Sequence, residues 1–218
     1  KYLIAMDSDR LNEWDTGTSA FIDATRNKIR IEPTGYAHTP VVGNTCTGAI
    51  SGATAEIESI IVDQGSWAGS DAVAWIIFVS GSQAVGTFQN NELVHDGTGN
   101  IGTTDGAVSD HEFTLNPTGV AADYYRFFHI ENWDNVAYLT NGKTGETIYR
   151  YMVDDAGTNT QVVPMYIDLD VEGGPDNDVT GVLLAFAFKG RLLLLSTVER
   201  QTEYRQRARW SDINDLST

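Results

Sequence analysis

Apolar and polar positions alternate along this chain in short runs of strand length, and the clearest of them lie near its end. Val182–Phe188 and Leu192–Leu195 are two apolar runs flanking Phe188-Lys189-Gly190-Arg191, whose glycine supplies the positive φ of a tight hairpin turn. The pattern predicts a buried β-hairpin. Each arm is too short to cross a bilayer as a helix, and charges sit between the two. A polar connection over 199–206 follows, and then Arg207-Ala208-Arg209-Trp210-Ser211-Asp212 alternates charged and apolar residues as a half-exposed strand does.

The N-terminal residues repeat this arrangement. Tyr2-Leu3-Ile4-Ala5-Met6 is an apolar run, Asp7-Ser8-Asp9 is turn-prone, and Arg10-Leu11-Asn12-Glu13-Trp14 reads as the returning strand. Lys28-Ile29-Arg30-Ile31-Glu32 alternates charge and β-branched residue, which predicts a strand with one wet face. A third instance runs from Val136–Thr140 through Asn141-Gly142-Lys143-Thr144-Gly145 to Thr147–Met152. Repeated meanders of this kind predict an all-β fold built as a propeller-like antiparallel meander, with a sandwich as the competing architecture.

Charge then divides the chain. From Ala37 to Gly119 there is no Lys or Arg, while Glu56, Glu58, Asp63, Asp71, Glu92, Asp96, Asp105, Asp110 and Glu112 are all acidic. Within this island, short apolar runs at Ala55–Val62 and Ala72–Val79 and a segment from Gly86 to Val94 are separated by Gly-rich turns, the pattern of a small β-sandwich or barrel. Pro33-Thr34-Gly35 and Asn116-Pro117-Thr118-Gly119 read as the crossings into and out of it. The expected organisation is a meander domain of residues 1–36 and 120–218, with an acidic β-domain of residues 37–119 inserted between them.

Composition narrows the function. At 218 residues the chain can bury one substantial core or two small ones, and 21 Gly against 5 Pro favours many turns over long helices. A net charge of −16 opposes phosphate-backbone binding, which needs clustered Lys and Arg. The lone Cys46 rules out an internal disulfide and reads as a small apolar strand residue. No apolar run is long enough for a membrane helix, so no membrane partner is expected.

Candidate chemistry is sparse. Asp168, Asp170, Glu172, Asp176 and Asp178 lie on one Gly- and Pro-bearing loop and form a weak calcium candidate, because closely spaced carboxylates can converge on a cation that takes six to eight oxygens. Val179 stands where an EF-hand register would need its bidentate glutamate, so a solvated acidic turn is the plainer reading, and no other cofactor is expected. His38, His95, His111 and His129 show no zinc-ligand spacing. Glu131, Asp134, Asp154 and Asp155 could include a glycosidase pair, but a chain with 30 acidic residues offers such pairs by chance. No GxSxG, P-loop or GxGxxG element is present, and the expectation is a protein that is not an enzyme. Tyr124–Ile130 and the five tryptophans could stack against sugars, although such residues more often fill cores and interfaces. Six of the fourteen basic residues fall in the last thirty, and Arg205, Arg207, Arg209 and Trp210 are the expected interface residues, with local ion pairs to Glu199, Glu203, Asp212 and Asp215 as the alternative.

One resemblance follows from these residues. An apolar strand, a turn, Gly190-Arg191-Leu192 with more apolar residues, a polar loop and then Arg209-Trp210-Ser211-Asp212-Ile213-Asn214-Asp215 resembles a pattern in tail-associated structural proteins of bacteriophages, with the β-propeller-bearing nozzle proteins of short-tailed phages nearest. Ser51-Gly52-Ala53-Thr54, followed later by Gly86-Thr87-Phe88-Gln89-Asn90-Asn91-Glu92, is similar to a small β module of phage virion proteins. The resemblance implies a virion location, a homo-oligomer that meets other virion proteins, and an acidic ring wall past which DNA moves without sticking. A carbohydrate-binding adhesin that meets a host-surface glycan is the alternative from another class, and a polysaccharide-degrading enzyme the third.

Overall fold

The computed structural model describes residues 4–6, 11–24, 26–32, 36–83, 86–109, 129–140, 148–167, 179–200 and 202–211, and among them are strands and turns but no helix. The fold is all-β. The chain divides into two compact units: Lys1–Ala24, Glu112–Met152 and Gln161–Thr218 form one, and Thr25–His111 with Val153–Thr160 form the other. The first unit opens with an antiparallel meander of β1 (Ile4–Met6), β2 (Leu11–Asp15) and β3 (Ala20–Asp23). The turn between β2 and β3 is held by the Asp15 carboxylate, which accepts from the Gly17 N–H at 2.8 Å and the Thr18 hydroxyl at 2.7 Å.

The second unit is a barrel. β4 (Lys28–Glu32), β5 (Thr45–Gly48), β6 (Thr54–Gln64), β7 (Val73–Phe78), β8 (Leu93–His95) and β9 (Asn100–Ser109) close in the order β4-β7-β6-β5-β8-β9, every neighbouring pair antiparallel. Closure removes the free edges that a small acidic sheet would otherwise expose. The interior interleaves small Ala53, Ala55 and Ala74 with large Ile57, Ile76 and Phe78, and Phe78 stacks on Phe88 with centroids 5.2 Å apart. β4 corrects two expectations. It is a barrel strand although it precedes residue 37, and it has no wet face, since Lys28 and Arg30 are as buried as Ile29 and Ile31. Arg30 tolerates this because Asp105, on the neighbouring β9, accepts from its guanidinium at 2.6 Å. The two expected crossings at 33–35 and 116–119 lie outside the described residues.

The first unit resumes with a four-stranded sheet of β10 (His129–Trp133), β11 (Val136–Thr140), β12 (Ile148–Val153) and β13 (Thr160–Met165), then a three-stranded sheet of β14 (Val179–Phe188), β15 (Arg191–Glu199) and β16 (Thr202–Trp210). The four-stranded sheet lies between the other two. Ala137, Leu139, Tyr149, Tyr151 and Val162 on one of its faces pack with Ile4, Leu11 and Ala24, while Tyr138, Ile148 and Met165 on the other pack with Val179, Val182, Ala185, Leu192 and Leu194. Burial on both faces is why β11 and β13 carry apolar residues at successive positions and not only at alternate ones.

The last sheet matches its expected turn and departs from its expected loop. Lys189 and Gly190 have φ of 51° and 75°, the two positive values of a type I′ hairpin. The polar connection expected over 199–206 is mostly strand: β15 reaches Glu199 and β16 begins at Thr202. Within β16, Tyr204 pairs with Thr197 and Ala208 with Leu195, so Arg205, Gln206 and Arg207 bulge out opposite Ser196. The outer edge of β14 is capped by side chains of β10, with the His129 ring nitrogen 2.7 Å from the Ala185 carbonyl and the Glu131 carboxylate accepting the Ala187 N–H at 3.0 Å.

Candidate functional site

Strand register places two sets of residues on opposite sides of the β14–β16 sheet. Leu184, Leu195 and Ala208 form one cross-strand row, Phe186, Leu193 and Trp210 the next, and Phe188 stands opposite Arg191. The intervening Ala185, Leu192 and Leu194 are in the core. The first set faces outward, and Trp210 is 65% exposed, Phe188 55% and Leu184 37%. The hairpin expected to be buried is therefore buried on one side only. Trp210 is fixed by its neighbour: Ser211 is buried, its hydroxyl accepts the Leu192 N–H at 3.0 Å, and its carbonyl accepts from Arg191 at 2.7 Å. Lys189 lies 5.3 Å from the centre of the Phe188 ring, so this apolar face has a cationic end.

The arginines expected at an interface divide into two kinds. Arg207 and Arg209 converge on Glu199, which is 5% exposed and also accepts the Thr197 hydroxyl at 2.6 Å. Arg209 donates through Nε at 3.0 Å and Nη2 at 2.7 Å, while Arg207 also stacks 3.5 Å above the Tyr204 ring. The Arg209 hydrogen bonds, with help from Thr197 and Arg207 and against the effect of burial, hold the Glu199 carboxyl down to about 2. Arg205 instead pairs with Glu203 at the surface, the two side chains being 80% and 51% exposed. These five residues, Glu203 to Arg207, line a shallow recess of about 670 Å³ formed by the bulge. Asp212 and Asp215 lie outside the described residues.

A second exposed aromatic group lies on the β1–β3 sheet. Trp14 and Phe21 are cross-strand partners in edge-to-face contact, centroids 5.2 Å apart, and are 37% and 46% exposed. Leu11 and Ile4 pack into the core from this sheet's other side. Of the remaining tryptophans Trp67 and Trp75 are buried, and the half-buried Trp133 packs against the core between the second and third sheets. Of the aromatic run at 124–130, residues 124–128 lie outside the described residues. Trp14 is one of the five tryptophans read as sugar-stacking candidates, whereas Phe188, Leu184 and Phe21 carry no such reading, although apolar residues of both parities in a strand that also carries charges are a signal for them.

The polar clusters of the barrel unit bond to loop backbone and to neighbouring side chains. Asp96 has no exposed side chain and accepts from the Thr98 hydroxyl at 2.7 Å, from the N–H groups of Val41, Thr98 and Gly99, and from His38 at 2.9 Å. Burial raises its pKa, but the Thr98 and His38 bonds and the backbone donors outweigh that and leave it well below the ordinary carboxylate range. His38 meets Asp96 and Thr98 through the same Nε2, so it cannot relay a proton between them as a triad histidine does through two nitrogens. Glu92, fully buried, accepts from the N–H groups of Ile50, Ser51 and Gln89 and from the Ser51 hydroxyl. Cys46 is buried among these strands, and desolvation, then the charges of Asp96 and Glu92, push its thiol up to about 12.

Three of the four carboxylates weighed as a glycosidase pair accept from the backbone. Glu131 caps β14, Asp155 accepts the Val62 N–H at 2.8 Å, and the buried Asp154 accepts the Thr158 N–H at 2.9 Å. The loop of Asp168, Asp170, Glu172, Asp176 and Asp178 lies outside the described residues, and among the described residues no three His, Cys, Asp or Glu side chains come together as metal ligands. His111 also lies outside the described residues, and no described helix is long and apolar enough to cross a membrane. No family model, curated protein or solved structure matches the chain.

Proposed function

We propose that this protein is a non-enzymatic structural component of a tailed-phage virion, a tail or nozzle subunit that acts through its interfaces with further copies and with other virion proteins. The observation that carries the reading is the outward face of the β14–β16 sheet, where Phe188 and Trp210 are more than half exposed on a hairpin-closed sheet. Large rigid aromatic side chains held in place by packing on one side are what interface anchors require. The residue pattern from Val182 to Asp215 supports the phage class, and three face-stacked meander sheets support a propeller-like arrangement of the first unit. The net charge of −16 suits a wall past which DNA moves without binding. Peptide mass spectrometry of gradient-purified particles tests the reading, which expects peptides of this chain in stoichiometric amount; particles without them would overturn it.

The exposed Trp14–Phe21 pair supports a second reading, a carbohydrate-binding adhesin, because apolar sugar faces stack on aromatic rings. Saturable binding of the isolated chain on a glycan array, abolished by Trp14→Ala, would favour it.

A further inference from the structure

The three sheets of the first unit differ in how many of their faces are covered. The middle sheet buries both, against the β1–β3 sheet on one side and the β14–β16 sheet on the other. Each outer sheet buries one face and leaves an aromatic one open: Trp14 and Phe21 on the first, and Leu184, Phe186, Phe188, Leu193 and Trp210 on the last. An antiparallel sheet meant to face water carries polar residues at those positions. An exposed contiguous apolar patch marks a docking surface.

We infer that the two open faces cover one another between copies of this chain: the β14–β16 face of each copy seats on the β1–β3 face of the other, so that two chains complete a closed stack of six sheets. The inference rests on the propeller-like reading of the first unit. Charge selects this pairing. Residues 1–24 hold five acidic residues and two basic, whereas residues 179–211 hold six basic and two acidic, so the two segments attract one another and two copies of the same segment repel. Stack size selects the number of chains. Closed propellers have about four to eight sheets, which three sheets fall short of, two copies fall within and three copies exceed. The contact is made by faces and not edges, because β14 is capped by His129 and Glu131 and β16 carries a bulge with Arg205, devices that stop a strand edge from pairing.

Sedimentation of the full chain across concentration tests this, with two double variants, Trp14→Ser/Phe21→Ser and Phe188→Ser/Trp210→Ser. The unmodified chain should form a two-chain species that weakens as salt is raised. Each double variant should lose at least about a hundredfold in association, because every interface in the pair contains one of each face. An equimolar mixture of the two variants should regain part of the two-chain species, since one of its two interfaces then joins two unmodified faces. A chain that stays monomeric to about 100 µM, a loss confined to one variant, or a mixture with no recovery would each overturn the proposal.

Hydroxyl-radical oxidation of the unmodified chain avoids any folding defect of the variants. Trp14 and Trp210 should both become protected as concentration rises, and constant oxidation of either would overturn the pairing. A monomer that binds glycans through Trp14 would also overturn it, in favour of the adhesin. Finding the chain in purified particles without self-association would overturn only the pairing, and a two-chain species with no trace in particles would overturn only the virion reading.

Discussion

Replacing Glu199 with glutamine should destabilise the β14–β16 sheet at neutral pH and make no difference in strong acid. The carboxylate takes four side-chain hydrogen bonds, from Thr197, Arg207 and both donors of Arg209. Those bonds hold its pKa at about 2 in the folded chain, against 4.5 for an ordinary glutamate. Because the folded value is the lower one, ionised Glu199 stabilises the fold above about pH 4.5, and that stability is lost as pH falls through the window toward 2. At about 1.4 kcal/mol per unit the whole displacement corresponds to roughly 3 kcal/mol. Arg207 and Arg209 are 36% and 41% exposed, so water screens part of it. A loss of about 2 kcal/mol at neutral pH is expected. Urea titrations read by pulsed hydrogen exchange of the 192–210 amides, at pH 7 and at about pH 2.5, compare Glu199→Gln with the unmodified chain. The difference should be large at neutral pH and mostly gone in acid. An equal difference at both pH values would refute the electrostatic account, and no difference at pH 7 would refute any role for the cluster.

Three further outcomes are expected. Phe78→Ala removes a ring that is fully buried in the barrel and stacked on Phe88, and should lower barrel stability by about 3–5 kcal/mol in a denaturant melt. Gly48→Ala should cost about 2 kcal/mol or more in the same melt, because its new methyl would stand 2.5 Å from the Ser51 hydroxyl and 2.6 Å from the Glu92 carboxylate, displacing groups that satisfy each other. Cys46, fully buried with its thiol pushed up to about 12, should be inert to a disulfide reagent at pH 8 and react only as the barrel unfolds.

Much of the strand pattern was legible because tight turns and short apolar runs are local. The hairpin at Lys189-Gly190 is fixed by the conformation its glycine permits, and β6 and β7 lie close to the runs read at 55–62 and 72–79. What was not legible depends on pairing. Lys28-Ile29-Arg30-Ile31-Glu32 looks half-exposed until Asp105, 75 residues away, is placed beside Arg30. Thr202 to Gln206 reads as a polar loop because an edge strand with a bulge carries the same charged residues as a loop does. The Arg207 and Arg209 cluster was visible as a basic run, but Glu199 as its centre was not, because strand pairing and a bulge bring them together.

The runs Val182–Phe188 and Leu192–Leu195 bear most directly on function. Their apolar residues occupy both parities of the strands, as in β11, where successive positions are buried because sheets lie on both sides. In β14 and β15 the cover is incomplete: Val182, Ala185, Leu192 and Leu194 are buried, while Leu183, Leu184 and Phe188 are open and Phe186, Leu193 and Leu195 half-open. A sheet with a permanently wet face gains nothing from leucine and phenylalanine there, and each such residue adds to the risk of nonspecific association. The residue choice on β14 and β15 is that of a strand covered on both sides, and a single copy covers one. The same holds for Trp14 and Phe21 at the far side of the three sheets. Two open aromatic faces at the two ends of one stack, on segments of opposite net charge, are what the proposed pairing between copies would cover.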